Sequence, residues 1–176
     1  MSKMEIRLAG TGGQGLITGT IILAEAGIFE DKFVAQSQSY GPEARGGMCK
    51  GEVIISDEKI GFTKVTKPTF VMALSQPSFN QYCQNLDENC FVLVDESIEV
   101  PETYSHKNFL KLPIIKTARE TVGRAQTVNI VSVGAINQIL GLSSGENMEK
   151  AVLMHIPKGT EELNLKALAE GAKLVK

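Results

Sequence analysis

The stretch LAGTGGQG, residues 8–15, joins an apolar run to a pattern with helical spacing. Residues 5–9 predict a buried strand, and the apolar side chains of Leu16–Phe29 recur at the period of a helix. Glycines between the two let backbone pass close to backbone and leave N–H groups free where the helix dipole favours an anion. The sequence therefore predicts a strand–loop–helix unit that could hold a phosphate or a diphosphate. The G-x-G-x-x-G spacing is formed by Gly10, Gly12 and Gly15.

The same glycine spacing occurs in nicotinamide enzymes and in tight crossings that bind nothing. A nicotinamide fold needs an acidic residue near the end of its second strand, where it holds the ribose hydroxyls. The predicted second strand covers residues 33–35 and is followed by Gln36, Ser37 and Gln38, which are not acidic. The sequence thus favours another anion over a nicotinamide dinucleotide, and it leaves open a tight crossing whose amides are hydrated.

The rest of the chain alternates predicted strands with predicted helices. This alternation predicts an α/β fold with three layers, α/β/α, and a mainly parallel mixed sheet covered on both faces. A tight turn at residues 57–59 leads into residues 60–62, so we expect an antiparallel hairpin near residues 48–62. The length predicts a single domain over residues 1–176. The further strands are residues 48–56, 69–74, 91–94 and 109–112, and the further helices are residues 77–86, 117–122, 128–142, 148–155 and 160–174.

The composition excludes several classes of function. An apolar fraction of 43% with a formal net charge of −2 is typical of an ordinary globular domain, so neither nucleic acid nor a membrane is an expected partner. The N-terminus lacks the pattern of a secretory signal, which predicts a cytoplasmic protein. The three cysteines are odd in number and widely spaced, which predicts reduced thiols and no disulfide, iron–sulfur cluster or metal site. They are Cys49, Cys83 and Cys90.

A second glycine-containing stretch, QSYGPEARGG, spans residues 38–47. Gly-Pro and Gly-Gly pairs bracket a loop that displays one planar cation, Arg45. Its guanidinium could clamp a carboxylate or a phosphate. The alternative is a local ion pair with Glu43 or Glu52 on the surface, which would contribute little to stability.

Other polar residues fit structural roles better than chemical ones. His106 and His155 lie outside any metal-ligand spacing, and Asp95 follows a predicted strand as a turn or capping residue. Cys49 fits a small packing residue better than a nucleophile. The uncharged pattern of residues 128–142 is apolar on more than one face, which predicts either a core helix or a subunit interface. We predict no catalytic residue in this chain.

Three stretches of the sequence, taken in order, resemble the gamma subunit of 2-oxoacid:ferredoxin (acceptor) oxidoreductases, most closely the 2-oxoglutarate type. The resemblance rests on GTGGQG at residues 10–15, QSQSYGPEARGG at residues 36–47 and GEVIISDEKI at residues 51–60. It implies a three-layer α/β domain that is one part of a multi-subunit enzyme. Similar complexes convert a 2-oxoacid, CoA and an oxidised acceptor to acyl-CoA, carbon dioxide and reduced acceptor.

The resemblance implies an obligatory subunit that is inactive alone. Thiamine diphosphate and iron–sulfur clusters would belong to partner subunits, because this chain has neither a G-D-G thiamine signature nor cluster cysteines. CoA would be a co-substrate whose diphosphate accepts N–H bonds from the glycine loop, with Arg45 as a second contact. The isolated chain could form a homo-oligomer. The residues expected to bind CoA are Gly10, Gly12, Gly13, Gln14, Gly15, Tyr40, Gly41, Glu43, Arg45, Gly46 and Gly47.

Two functions of other classes stay open at this point. One is a stand-alone nucleotide-binding oxidoreductase that uses the glycine loop for its cofactor. The other is a purely structural assembly module, in which both glycine-containing loops shape contacts with partner chains and bind nothing small. Binding of a dinucleotide would separate the first of these from the proposed subunit, and loss of assembly would identify the second.

Overall fold

The computed structural model of this chain describes residues 3–40 and 47–176. Within these residues six strands form one sheet. The strands are β1 (Lys3–Thr11), β2 (Phe33–Tyr40), β3 (Met48–Ser56), β4 (Phe70–Ala73), β5 (Phe91–Asp95) and β6 (Phe109–Leu112). The helices are α1 (Leu16–Phe29), α2 (Gln76–Tyr82), α3 (Ile114–Lys116), α4 (Val128–Leu140), α5 (Gly145–His155) and α6 (Glu161–Lys173), with a π-helical turn at Thr117–Val122 after α3 and a 3₁₀ turn at Ala125–Thr127 before α4.

The strand order of the sheet is β2-β3-β1-β4-β5-β6. β4 pairs parallel with β1, β5 with β4, and β6 with β5. β3 pairs antiparallel with both β1 and β2. Since β1 and β2 each run opposite to β3, they run in the same direction, and β3 alone is reversed. The predicted α/β class and the mainly parallel mixed sheet are confirmed.

The antiparallel pairing expected near residues 48–62 is present, but its partners differ from the prediction. β3 has the predicted bounds and pairs with β1 and β2. The expected second arm, residues 60–62, forms no strand, and the Phe62 side chain is 60% exposed. Both edges of β3 are already hydrogen-bonded to neighbours, so a third strand has no edge to join.

The structure has three layers, and an apolar cluster on each face of the sheet packs the sheet against the layer that covers it. The larger cluster packs β1, β3, β4 and β5 against α1, α4, α5 and α6, with Ile6 and Phe70 among its fully buried members. On the other face, α2 and residues 96–108 cover β4 and β5 around the buried Phe79. In the described ranges no helix is long and apolar enough to cross a membrane.

Helix α4 lies in the core, which confirms one of the two interpretations of its uncharged pattern. It meets α6 at a contact that two glycines make possible. A Cβ atom on Gly134 would lie 2.1 Å from the carbonyl oxygen of Leu168, and one on Gly171 would lie 2.0 Å from that of Val131. The two helices can approach this closely only because neither carries a side chain at the contact.

We expect Gly134→Ala and Gly171→Ala each to lower the free energy of unfolding by about 1–3 kcal/mol, because the added methyl group meets backbone that cannot move alone. Urea unfolding followed by circular dichroism measures the loss. Gly145→Ala is the matched control, since a Cβ there meets nothing within 4 Å. Equal stabilities of the three variants would contradict the close helix contact.

The carboxylate of Glu30 joins the end of α1 to the start of α5. Its Oε1 accepts hydrogen bonds from the Ser143 hydroxyl at 2.8 Å, the Ser144 N–H at 2.9 Å and the Asn147 side-chain amide at 2.9 Å. These bonds, that from Asn147 above all, lower the pKa of Glu30 from its ordinary value of 4.5 to about 2. The ionised carboxylate therefore fastens the two helix ends together.

Glu30→Gln should lower the melting temperature at neutral pH, and the difference from the native chain should shrink in acid. The pKa of Glu30 is depressed in the folded state, so its contribution is complete above pH 4.5 and is lost as the pH falls towards about 2. Thermal unfolding at pH 7, 4 and 2.5 checks this. The exposed Glu149, changed to Gln, is the control. A Glu30→Gln deficit that is constant across this range would contradict the assignment.

Candidate functional site

The glycine loop follows β1, which lies in the sheet between β3 and β4. Such a switch point opens a crevice beyond the carboxyl ends of parallel strands. Gln14 spans it, because Oε1 accepts the N–H of Thr11 at 2.8 Å and Nε2 donates to the carbonyl oxygen of Leu74 at 3.5 Å. A Cβ on Gly10 would lie 2.2 Å from Gln14 Oε1. Glycine at position 10 therefore lets Gln14 fold back over the loop.

The two glycine-containing stretches meet at one corner of the sheet. Strand register places Gly10 of β1 opposite Cys49 of β3, and Cys49 opposite Tyr40 of β2. Beyond the strands, the N–H of Gly12 donates to the carbonyl oxygen of Gly47 at 2.9 Å. Two motifs that are far apart in the sequence thus form one continuous surface.

β2 continues to Tyr40 instead of ending at residue 35 as predicted. Gln36, Ser37 and Gln38 consequently lie within the strand, where they pair with β3, and do not follow it. Tyr40 is 66% exposed, and Gly47 is buried at the corner. Four of the residues predicted to bind a ligand lie outside the described ranges. They are Gly41, Glu43, Arg45 and Gly46.

The amides of the glycine loop divide into two sets. The N–H of Gly12 donates to Gly47, and that of Gln14 donates to the carbonyl oxygen of Thr11 at 3.3 Å. The N–H groups of Gly13, Gly15 and Leu16 have no acceptor in residues 3–40 and 47–176. The sequence predicts that CoA accepts N–H bonds from Gly12, Gly13, Gln14 and Gly15, and two of these four amides are therefore occupied within the chain. The free set includes Leu16, the first residue of α1, where the helix dipole favours negative charge.

Two of these glycines need backbone conformations that side chains disfavour. Gly13 has φ 92° and Gly15 has φ 69°, both in the left-handed region. A Cβ on Gly13 would meet nothing within 4 Å, so this position opens to the outside of the loop. A Cβ on Gly15 would lie 2.7 Å from Nδ2 of Asn129. The loop is thus open above Gly13 and closed by α4 above Gly15.

A cleft of about 520 Å³ adjoins the loop between the ends of several helices. Thr18 and Asn129 both line it, which connects it to the first turn of α1 and to the position of Gly15. Arg124 lines the same cleft. His155 also lines it, with Nε2 3.5 Å from Oε2 of Glu25. Sequence reasoning missed Arg124 and Asn129, because no motif connects them with the glycine loop.

The remaining polar candidates have structural roles. Asp95 is buried, and its carboxylate accepts the N–H of Ser97 at 2.9 Å and that of Ile115 at 2.8 Å. His106 Nε2 lies 2.6 Å from a main-chain carbonyl oxygen. Burial raises the pKa of the Cys49 thiol, which suits a packing residue and not a nucleophile. These residues neither line the cleft nor belong to the glycine loop.

The arrangement at the N-terminus of α1 is suited to holding an anion, because main-chain amides there have no acceptor in the described residues. Arg124 lines the cleft next to it. Within the described part of the chain, no group of three His, Cys, Asp or Glu residues is placed to hold a metal ion.

Comparison with known proteins gives a consistent result. Residues 5–174 match the family model described as pyruvate ferredoxin/flavodoxin oxidoreductase. The 2-oxoglutarate synthase subunit KorC of Methanocaldococcus jannaschii is 43% identical over 99% of this chain and 95% of its own. The gamma subunit of a keto/oxoacid ferredoxin oxidoreductase from Geobacter sulfurreducens has a solved structure with a TM-score of 0.85 and 40% identity, over 99% of this chain and 97% of that one.

A third comparison concerns the fold alone. The 2-oxoglutarate:ferredoxin oxidoreductase from Magnetococcus marinus, solved with 2-oxoglutarate, coenzyme A and succinyl-CoA bound, has a TM-score of 0.89 at 21% identity. The match covers 99% of this chain but 31% of that one. The same fold therefore occurs there within a longer polypeptide.

Gly10→Ala should destabilise the chain by about 1–3 kcal/mol by forcing Gln14 out of its position. The cost should fall by at least about 1 kcal/mol in a Gln14→Ala background, since the nearest clashing atom is then gone. A double-mutant cycle by urea unfolding measures this coupling. Gly61→Ala serves as the control, because a Cβ there meets nothing within 4 Å. Strictly additive effects of the two substitutions would contradict the contact.

Proposed function

This chain belongs to the pyruvate ferredoxin/flavodoxin oxidoreductase family, and we propose that it is the subunit that holds CoA in a 2-oxoglutarate-oxidising complex. It is a gamma-type subunit of a 2-oxoacid:ferredoxin oxidoreductase. The complex would convert the 2-oxoacid, CoA and oxidised ferredoxin to acyl-CoA, carbon dioxide and reduced ferredoxin. The relatives named 2-oxoglutarate synthase subunit KorC support 2-oxoglutarate as the 2-oxoacid.

The observation that carries the CoA proposal is the corner formed by the two glycine-containing stretches. The bond from Gly12 to Gly47 holds the loop in place, and within residues 3–40 and 47–176 nothing accepts the N–H groups of Gly13, Gly15 and Leu16, which would serve the ligand. CoA carries a diphosphate, an anion that suits such amides at a helix N-terminus. CoA is also present in the solved 2-oxoglutarate:ferredoxin oxidoreductase that shares this fold.

Cationic side chains would complete the proposed CoA site. Arg124 lines the cleft beside the loop and could pair with a phosphate group. Arg45, which lies outside the described residues, remains the second cation expected from the sequence. The chain would bind and orient CoA, so its contribution to the reaction is positioning and not proton transfer.

The redox cofactors of the complex do not fit this chain. Within the described residues no group of three His, Cys, Asp or Glu side chains is placed to hold a metal ion, and Cys83 and Cys90 are buried. Cys49 is buried as well. We therefore assign thiamine diphosphate and the iron–sulfur clusters to partner subunits. Reduced buried thiols also support a cytoplasmic setting.

The nicotinamide alternative is disfavoured by the strand order. In the doubly wound dinucleotide fold the second strand lies beside the first, so that its acidic residue reaches the ribose. Here β3 separates β2 from β1. An acidic residue at the end of β2 would consequently lie two strands away from the glycine loop.

Gly13→Ala should raise the KM for CoA about tenfold in the reconstituted complex, since a methyl group would project where the diphosphate is proposed to bind. Steady-state kinetics with CoA as the varied substrate measures the change. Gly141→Ala is the matched control, because Gly141 also has positive φ and open space but lies at the far end of α4 from Asn129. An equal KM for the two variants contradicts the CoA site. Loss of assembly in Gly13→Ala alone favours the assembly-module alternative.

CoA should raise the melting temperature of the isolated chain, whereas NADH or NADPH should leave it unchanged. A ligand at one hundred times its dissociation constant stabilises by about 2.7 kcal/mol, which thermal unfolding detects readily. The isolated chain should also fail to oxidise any 2-oxoacid. Stabilisation by a nicotinamide dinucleotide, or turnover by the chain alone, would contradict the proposed function.

A further inference from the structure

The two edges of the sheet differ in how they are protected. β6, at one edge, has four residues and carries Lys111. β2, at the other, has eight residues, FVAQSQSY, without a charge or a proline. Short strands, lysines and prolines are the usual means by which proteins prevent pairing at an exposed edge. In the described residues β2 pairs with β3 alone, and its outer main-chain groups are left without strand partners.

Apolar side chains flank this open edge on the helical face. Thr20 of α1 accepts a hydrogen bond from the Gln36 amide of β2 at 3.1 Å, so this side of α1 faces the edge strand. Ile17, Ile21 and Ile28 follow at helical spacing on the flank turned away from α4, and none of them is buried. The Ile28 side chain is 48% exposed. A strand added to β2 would therefore lie next to an incompletely covered apolar stripe.

We propose that β2 is a dimer interface, at which a second copy of this chain pairs antiparallel with β2 and continues the sheet. The two copies are related by a two-fold axis perpendicular to the sheet. The helical faces of both copies then lie on the same side of the continuous sheet. Such self-pairing is unfavourable where it places like charges opposite each other, as it does for a charged residue on the axis. β2 has no charged residue, so two copies meet without repulsion.

One register makes the strand self-complementary. With Ser37 on the two-fold axis, Gln36 lies opposite Gln38 of the second copy, and Val34 lies opposite its Tyr40. The residues in each of these pairs are on the same face of the sheet, as the alternation of β2 requires. An aromatic side chain opposite a β-branched one is a favourable cross-strand pair. The pairing would form about six to eight main-chain hydrogen bonds.

The same arrangement would cover the apolar stripe of α1. This helix lies over β2 and β3, and neighbouring strands are about 4.8 Å apart, so the two α1 axes would be about 10–14 Å from each other. Side chains of isoleucine length can bridge the lower part of this range. The stripes of the two copies, formed by Ile17, Ile21 and Ile28, would face each other across the axis. One interface would thereby pair the open edge of β2 and cover the incompletely buried flank of α1.

The test is the mass of the full chain by sedimentation equilibrium, with variants at the proposed axis. The native chain should sediment at twice the 19.0 kDa of one copy. Ser37→Lys and Ser37→Glu should each weaken the dimer at least about tenfold, because each places two like charges opposite one another. Mixing the two variants should restore a dimer, since lysine and glutamate then face each other. Restoration by mixing would also show that neither variant is merely misfolded.

Ser105→Lys is the control, because Ser105 is an exposed serine in the segment between β5 and β6, the two strands farthest from β2 in the sheet. It should sediment like the native chain. A monomeric native chain overturns the proposal, as does a dimer that survives Ser37→Lys or one that mixing does not restore. Should the native chain be a monomer and Ser37→Lys prevent its assembly with the other subunits, β2 would be the docking edge for a different polypeptide, and the proposed dimer would be wrong.

Discussion

The reversed strand β3 is the constraint on which the rest of this molecule depends. It pairs with β1 on one side and with β2 on the other. In these pairings Cys49 lies opposite Gly10 of β1 and opposite Tyr40 of β2. These two registers bring Gly47, just before β3, to the N–H of Gly12 at 2.9 Å. The same insertion moves β2 to the outside of the sheet. The shared glycine corner and the open edge are therefore two consequences of one strand.

Local patterns predicted the elements whose character is set by nearby residues. The helix at Leu16–Phe29 and the strands at Met48–Ser56 and Phe109–Leu112 have the predicted bounds. In each, a run of apolar residues is delimited by glycine, proline or polar turn residues, which is information that a short window contains.

The errors occur where pairing at long range decides the structure. Residues 36–40 are polar and have little preference for strand, but they become part of β2 because the edge of β3 lies beside them. Residues 60–62 are largely apolar and look like a strand, yet no edge of β3 is left for them. Intrinsic preference is a weak influence on strands, and the available partner determines the outcome.

The candidate site divides in the same way. Glycines at a βα crossover can be recognised from the sequence, because tight turns and positive φ require them. Asn129 lies next to Gly15 in the structure. It belongs to the first turn of α4, which is distant from the glycine loop in the sequence. Its place beside the loop depends on how α4 packs on α1, and no short motif encodes that packing. Arg124 reaches the adjoining cleft for the same reason.

The internal hydrogen bonds of the loop change what the site can contribute. Gly12 and Gln14 use their main-chain N–H groups to hold the loop, while those of Gly13, Gly15 and Leu16 have no acceptor in the part of the chain that the structure describes. A loop whose shape is maintained by its own bonds loses little conformational entropy when a ligand arrives. For a subunit that binds and orients a reactant, as we propose for this chain, such preorganisation is a useful contribution. The loop would then hold one reactant in a fixed orientation while the chemistry proceeds on partner chains.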